Sequence, residues 1–569
     1  MKFSEMPYAR PDLDAVKQQF ADLLARFKAA ATYAEAHAVF LEEEKLNKHV
    51  DTLAQLASVR NTIDTRDKFY DEEMNFWNEA TPQLQECQNA WSRAMLDSPF
   101  RADFTAEYGD LMFVNAEIAD KAFSPDILDE MAQENKLTTE YGKLIASAQI
   151  PFEGGVYTLS QLSPFKNDPD DARRLAAWKA EGAWYKEHGA EFDGLYDQLV
   201  HLRDTMGKKL GYEGYTTLGY YRMGRLCYGP EEVKQFRENV RRDVVPVVAR
   251  LRKEIGKKLG VDTLMLYDYD LIFPQGDPAP KGGKEAIFAA AKRMYHDMSR
   301  ETGEFIDFML ATEAFDVDAR KNKWGGGYCT SFMAYHQPFI LANFNGTAGD
   351  VDVVTHEAGH AFADYTTANN RYVVELGVGG METAETHSMS MEFFAWPYMA
   401  QFFGEDAGRY EFMHLMDALS FLPYGTIVDD FQRQVYENPD WTPAERKAAW
   451  RQLEAEFRPH ITFDGIPYLE EGTRWQYQMH IYETPFYYID YCLAQTAALQ
   501  FLLASRKDYD DAFHRYVRFL SQGGEKVFTE LLQEAGLRSP FQEGALQTVA
   551  QESEALLNEL ERALSQETK

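Results

Sequence analysis

Val351-Asp-Val-Val-Thr-His-Glu-Ala-Gly-His-Ala-Phe-Ala-Asp-Tyr365 is the stretch that decides the reading of this chain. Val351, Val353 and Val354 lead in as an apolar run, and Ala358, Gly359, Ala361 and Ala363 are small. After Asp352 the only charged residues are Glu357 and Asp364. Such a segment predicts a helix packed deep against other elements. Residues four apart share a helix face, so His356 and His360 can aim both imidazoles at one metal ion. Glu357 can then reach a water on that metal without being a ligand, which is the position of a general base. Buried histidines and a buried glutamate need partners, and a metal supplies one.

A catalytic zinc site takes three protein ligands and leaves one position for water, so a third ligand must come from a second element. Past Asn369-Asn370 and a loop with Gly377, Gly379 and Gly380 comes Met381-Glu-Thr-Ala-Glu-Thr-His-Ser-Met-Ser-Met-Glu-Phe-Phe394, rich in helix formers. Glu382, Glu385, His387 and Glu392 are its candidates. Glu385, Ser388, Met389 and Glu392 share a face, whereas His387 points elsewhere. Glu385 is the expected ligand, with Glu392 as a carboxylate that fixes the tautomer of a ligand imidazole. Glu382 reads as an exposed acid at a helix start, and His387 as a packing or substrate-side residue.

His356-Glu-x-Gly-His360 followed by Glu385-x-x-Ser388-x-x-x-Glu392 resembles the zinc site of the thimet oligopeptidase and oligoendopeptidase F family of metallopeptidases. By position, the resemblance implies Zn2+ bound by His356, His360 and Glu385, with Glu357 activating water. His387-Ser388-Met389 departs from the Pro-Ser-Gln or Ala-Ser-Thr that often follows the ligand in that family, so local substrate contacts do not carry over.

Outward from this core, the chain has 569 residues, 45% of them apolar, which is enough for a large core and two or more lobes. No run approaches a membrane span, and the N-terminus lacks an apolar signal core, so a cytoplasmic protein is expected. Cys87, Cys227, Cys329 and Cys492 show no paired spacing and read as free thiols. A net charge of −33 argues against nucleic acid or an anionic membrane as partner. Oligomeric state is not readable.

From Pro11 to about Phe100 the periodicity is helical, with Leu13, Val16, Phe20, Leu23, Leu24 and Phe27 on one face and a break at Ser98-Pro99. Ile150 to Leu159 suggests a hairpin around Gly154-Gly155, and Ser163 to Pro169 a lobe boundary. The chain therefore divides into an N-terminal helical lobe, 1–162, and a catalytic region, 163–569. Tyr220, Tyr221 and Tyr228 read as helix core with solvated Arg222 and Arg225.

Trp324 to Tyr335 and Pro338 to Asn345 read as two strands linked at His336-Gln337, almost the only β-structure in a helical chain. An extended peptide can pair with a free strand edge, and Gly325, Gly326 and Gly327 would let its backbone approach. A purely structural hairpin fits the same residues. Far downstream, Met479 to Tyr491 concentrates His480 with Tyr482, Tyr487, Tyr488 and Tyr491. The family has a histidine followed by tyrosines acting on substrate and transition state there, which implies His480, Tyr488 and Tyr491, with Tyr487 in reserve; core aromatics are the other reading.

The resemblance covers the chain from about Ser163 onward. It implies a mainly α-helical, two-lobed fold with a deep substrate channel and a small β-sheet beside the zinc helix. The expected activity is zinc-dependent endopeptidase cleavage of short unfolded oligopeptides. The alternatives are a zinc carboxypeptidase of similar helical fold and a non-catalytic peptide-binding clamp.

Overall fold

The computed structural model describes residues 1–320, 322–370, 373, 379–463, 465–522 and 524–567; Gly377 of the glycine-rich loop lies outside them. The Asp12 side chain accepts from the Ala15 N–H and starts α1 (Leu13–Ala29), which buries Val16, Phe20, Leu23 and Phe27. Thr32 and Asp67 likewise cap α2 (Tyr33–Ile63) and α3 (Lys68–Leu96). The break at Ser98-Pro99 is realised, and the next helix begins at Arg101. The hairpin is also present, as antiparallel β1 (Ile150–Phe152) and β2 (Gly155–Tyr157). Its turn is Glu153-Gly154, both at positive φ, so Gly155 belongs to the strand. Ser163 to Pro169 is no clean boundary. A capping box of Thr158 and Gln161 starts the helix Leu159–Lys166, which carries Pro164 inside it.

The expectation of solvated arginines next to α4 (Tyr215–Arg222) is wrong. Arg225 is buried, and Arg222 Nη2 pairs with Glu134 at 2.8 Å. Periodicity marks Arg225 as outside the apolar stripe, but the rings of Tyr220 and Tyr228 and the Asp490 carboxylate from a distant segment enclose it.

Three strands follow: β3 (Phe315–Asp318), β4 (Tyr328–Phe332) and β5 (Gln337–Phe344). Their order is β3-β5-β4, with β5 parallel to β3 and antiparallel to β4. The first predicted strand is shorter than read, the second is shifted by one residue, and Met333–Tyr335 forms a 3₁₀ turn before a left-handed His336. The third, β3, has only the residues Phe-Asp-Val-Asp, too short for a periodicity signal. Gly325, Gly326 and Gly327 precede β4, and the ring of Trp324 lies where a Cβ on Gly326 would stand, 2.0 Å away. At that position the close approach that glycine permits is made by the chain's own indole.

The remaining elements used below are α5 (Gly349–Asn370), α6 (Met381–Phe394), α7 (Ala407–Glu437), α8 (Met479–Glu483) and α9 (Tyr488–Ser505). Among the described residues, no helix is long and apolar enough to cross a membrane.

The chain forms two compact units, each assembled from three separated segments. One comprises Met1–Asp120, Pro278–Ala407 and Gln500–Leu537; the other comprises Lys121–Asp277, Gly408–Leu499 and Arg538–Lys569. This is a different division from the linear one at 162/163. In the first unit, Met6, Leu56 and Val59 of the N-terminal segment pack with Phe332, Phe339 and Leu341 of the sheet. Apolar faces choose partners by complementarity, not by closeness in sequence.

Candidate metal centre

α5 buries Val351, Val354, Ala358, Ala361 and Phe362, while His356, Glu357 and His360 remain half-buried. The apolar stripe therefore anchors the helix and leaves the three polar side chains on a flank. The imidazoles of His356 and His360 stand with ring centroids 5.2 Å apart.

Gly359 brings the second helix into reach. A Cβ there would lie 2.6 Å from the Cα of Ser388 and 2.8 Å from the carbonyl oxygen of His387, so α6 crosses α5 at backbone contact. This close crossing delivers Glu385, whose Oε2 stands 3.5 Å from Nε2 of both His356 and His360. Three ligands on one ion at about 2.0–2.1 Å in tetrahedral geometry stand roughly 3.3 Å apart. The spacing fits a shared ion. Among the described residues, this trio is the one group of three or more His, Cys, Asp or Glu arranged to hold a metal.

The charge balance fits a cation as well. Burial alone would raise the Glu385 carboxyl, but the two imidazoles outweigh it and hold it well below the ordinary carboxylate range. Burial would lower His356, and the Glu385 and Glu392 carboxylates outweigh that and raise it well above its ordinary value. Glu392 Oε1 meets His356 Nδ1 at 2.5 Å, which directs Nε2 toward Glu385, as expected from its place two turns along α6. The Ser388 hydroxyl donates to Glu385, to its carbonyl oxygen at 2.9 Å and its Oε2 at 3.2 Å.

Two neighbours depart from the sequence reading or narrow it. Glu382 is buried, not exposed, because its carboxyl folds back over Gly380 at the start of α6. His387 takes the packing alternative: burial pushes its pKa down to about 3, and it meets the Phe519 ring edge-on at 5.8 Å. Sequence reasoning missed the link between α5 and the sheet, in which the Ser331 hydroxyl on β4 donates to Asp364. Asp364 is one turn beyond His360, so its position on the metal face was the available signal.

His480, Tyr487, Tyr488 and Tyr491 belong to the second unit, and there they do form one cluster. The His480 ring lies 5.1 Å from Tyr488, 5.8 Å from Tyr487 and 5.9 Å from Tyr491. The Tyr424 hydroxyl, from α7, donates to Gln478 Oε1 at 3.0 Å, and Gln478 Nε2 meets His480 Nδ1 at 2.8 Å. With the amide so turned, Gln478 donates to Nδ1, and the proton of a neutral His480 resides on Nε2. Burial pushes the Tyr488 phenol well above its ordinary pKa, so it keeps its proton and remains a donor. No local sequence signal marks Gln478 or Tyr424.

Residues 3–123 match the peptidase M3 N-terminal domain, and residues 302–551 match peptidase family M3. No curated protein matches the chain. Among solved structures, PZ peptidase A with an inhibitor is 46% identical, with 98% of this chain and 99% of that one covered and a TM-score of 0.94. A protein described as an oligoendopeptidase F is 45% identical, with 98% and 99% covered and a TM-score of 0.93. A Bacillus anthracis protein also described as an oligoendopeptidase F is 42% identical, with 98% of each chain covered and a TM-score of 0.89. The likeness thus includes the N-terminal segment, which the sequence motifs left out. With this coverage and identity, and with its two histidines and glutamate gathered on crossing helices, the chain belongs to peptidase family M3, in the oligoendopeptidase F group, and is a metalloendopeptidase.

Proposed function

We propose that this enzyme uses zinc and cleaves internal bonds of short unfolded oligopeptides. The observation that carries the reading is the trio itself: two Nε2 atoms each 3.5 Å from one carboxylate oxygen, with Glu357 next to His356 on α5. Two imidazoles and one carboxylate form a borderline-soft ligand set that suits Zn2+ better than Mg2+ or Ca2+. When bound there, zinc supplies Lewis-acid chemistry that makes a water acidic enough to give a nucleophile near neutral pH.

The chain's own residues supply the rest. Glu357 accepts the proton of the attacking water and passes it to the leaving amine nitrogen. Glu392 holds His356 in the tautomer whose Nε2 is free to bind metal. β4 is an outer strand of the sheet, with no strand partner on its second edge among the described residues, and an extended peptide can add there through backbone hydrogen bonds. His480, Tyr488 and Tyr491 take the role of donors to the carbonyl oxygen as negative charge builds on it. The Nε2–H tautomer of His480 and the protonated Tyr488 support that assignment. The name oligoendopeptidase F, carried by two of the relatives, supports a short-peptide substrate. Cys87, Cys227, Cys329 and Cys492 form no disulfide, in keeping with a cytoplasmic enzyme.

The test uses a quenched fluorescent peptide of about ten residues with both ends blocked, and the same sequence embedded in a folded protein, each with and without chelator and added zinc. The expected result is internal cleavage of the free peptide alone, abolished by chelation and restored by zinc. Cleavage indifferent to chelator, or equal attack on the folded protein, would overturn the proposal.

A further inference from the structure

The arginine that the sequence reading left in solvent is enclosed at the foot of the His480 and tyrosine cluster. Arg225 is 4% exposed, and its guanidinium carbon lies 4.0 Å from the centroid of the Tyr220 ring. Nη2 donates to the carbonyl oxygen of Phe486 and approaches Asp490 Oδ1 at 3.3 Å. The Tyr228 hydroxyl donates to the same Oδ1 at 2.5 Å. Phe486 and Asp490 bracket the start of α9, whose first residues are Tyr488, Ile489, Asp490 and Tyr491.

Phe486 itself is backbone-strained. Its φ is +71°, a left-handed conformation that bulky residues rarely adopt. Both of its backbone polar groups are held, the N–H by Gln432 Oε1 at 3.0 Å and the carbonyl by Arg225. Its ring is pinned between Tyr220 and Tyr436, each 5.4 Å away, and against Gly219, where a Cβ would come within 2.8 Å of it. A turn that only had to change direction could use glycine at little cost. Strain of this kind persists where surrounding groups over-determine it, and it concentrates at functional sites.

We propose that Arg225 is a positioning residue for catalysis. By fixing the left-handed turn at Phe486 and the first turn of α9, it sets where Tyr487, Tyr488 and Tyr491 stand around His480. The proposal rests on the reading of this cluster as donors to the substrate carbonyl oxygen. Lysine at 225 keeps the charge but lacks the planar guanidinium that stacks on Tyr220 and so fixes Nη2 between the Phe486 carbonyl and Asp490. The rings then relax from their set positions while the fold and the metal trio remain. Misplacement of a catalytic group by about an ångström costs up to roughly 10²-fold in rate.

The experiment is a double-mutant cycle. Tyr487→Phe, Tyr488→Phe and Tyr491→Phe are first measured singly, and the tyrosine variant with the largest loss of kcat becomes the second background for Arg225→Lys. Tyr228→Phe, which removes a single hydrogen bond to Asp490, serves as a milder second variant should Arg225→Lys not fold. For Arg225→Lys the expected result is a fall in kcat of about tenfold or more with KM within about twofold, and metal content and unfolding midpoint near wild type. In the tyrosine-variant background the same substitution should cost less than about twofold, because the group it positions is gone. An equal loss in both backgrounds, or a change in KM alone, marks a structural role and overturns the proposal. If none of the tyrosine variants loses kcat, the donor reading fails and takes this proposal with it. If a tyrosine variant loses kcat while Arg225→Lys and Tyr228→Phe do not, the clamp alone fails.

Discussion

The metal trio and the His480 cluster are built on different plans. The trio stands on two helices close in sequence, α5 and α6, and uses helical spacing: the two histidines are four positions apart, and the ligand Glu385 is seven positions from Glu392. The cluster is held from afar, by Tyr424 of α7 through Gln478 and by Arg225, which lies 261 residues from the carbonyl it grips. The difference teaches that local periodicity suffices to present metal ligands, whose donor atoms need one face and one crossing point. Aiming several flexible rings at one spot demands buried polar contacts from remote segments.

The comparison breaks first at Glu357. Glu357→Gln should retain stoichiometric metal and lose about 10³-fold or more in kcat, measured by metal analysis and peptide turnover on the same preparation. Glu385→Ala should instead lose the metal, and full occupancy in that variant would move the third ligand elsewhere. The next largest effect is expected at the crossing point. Gly359→Ala places a methyl group 2.6 Å from the Ser388 backbone, so denaturant unfolding should show a loss of about 1–3 kcal/mol, with weaker metal retention as α6 is pushed away.

On the other side of the comparison, Tyr488→Phe should lower kcat by about 10–10²-fold while leaving metal content unchanged. A variant that instead loses metal would erase the distinction between the two regions. The smallest effect sharpens the local plan: Glu392→Gln keeps the shape of the carboxylate but weakens its grip on His356, and metal affinity should fall about tenfold in competition with a chromogenic chelator.

How much was legible follows from the same contrast. The gathering of His356, His360, Glu385 and Glu392 was readable because helical spacing converts directly into geometry, and the tight approach of the two helices was implicit in the small residue at Gly359. The caps at Asp12 and the hairpin at 150–157 were readable for the same reason, since the relevant hydrogen bonds are local. Glu382 and Arg225 were misread as exposed. A charged residue looks solvated in a window of its neighbours, and only contacts across the chain reveal otherwise. β3 escaped because four residues carry too little pattern, and its strand character comes from pairing with β5.

By itself, then, the amino-acid sequence determined a helical chain with a two-histidine, one-glutamate motif of metallopeptidase type, because ligand spacing and helix periodicity are properties of neighbouring residues. The tertiary structure alone decided which distant segments join into each compact unit, which charges are enclosed, and how Arg225 holds the left-handed turn at Phe486. Those outcomes depend on which apolar faces and buried polar groups find complementary partners, and that choice is made by packing across hundreds of residues, beyond the reach of any local pattern.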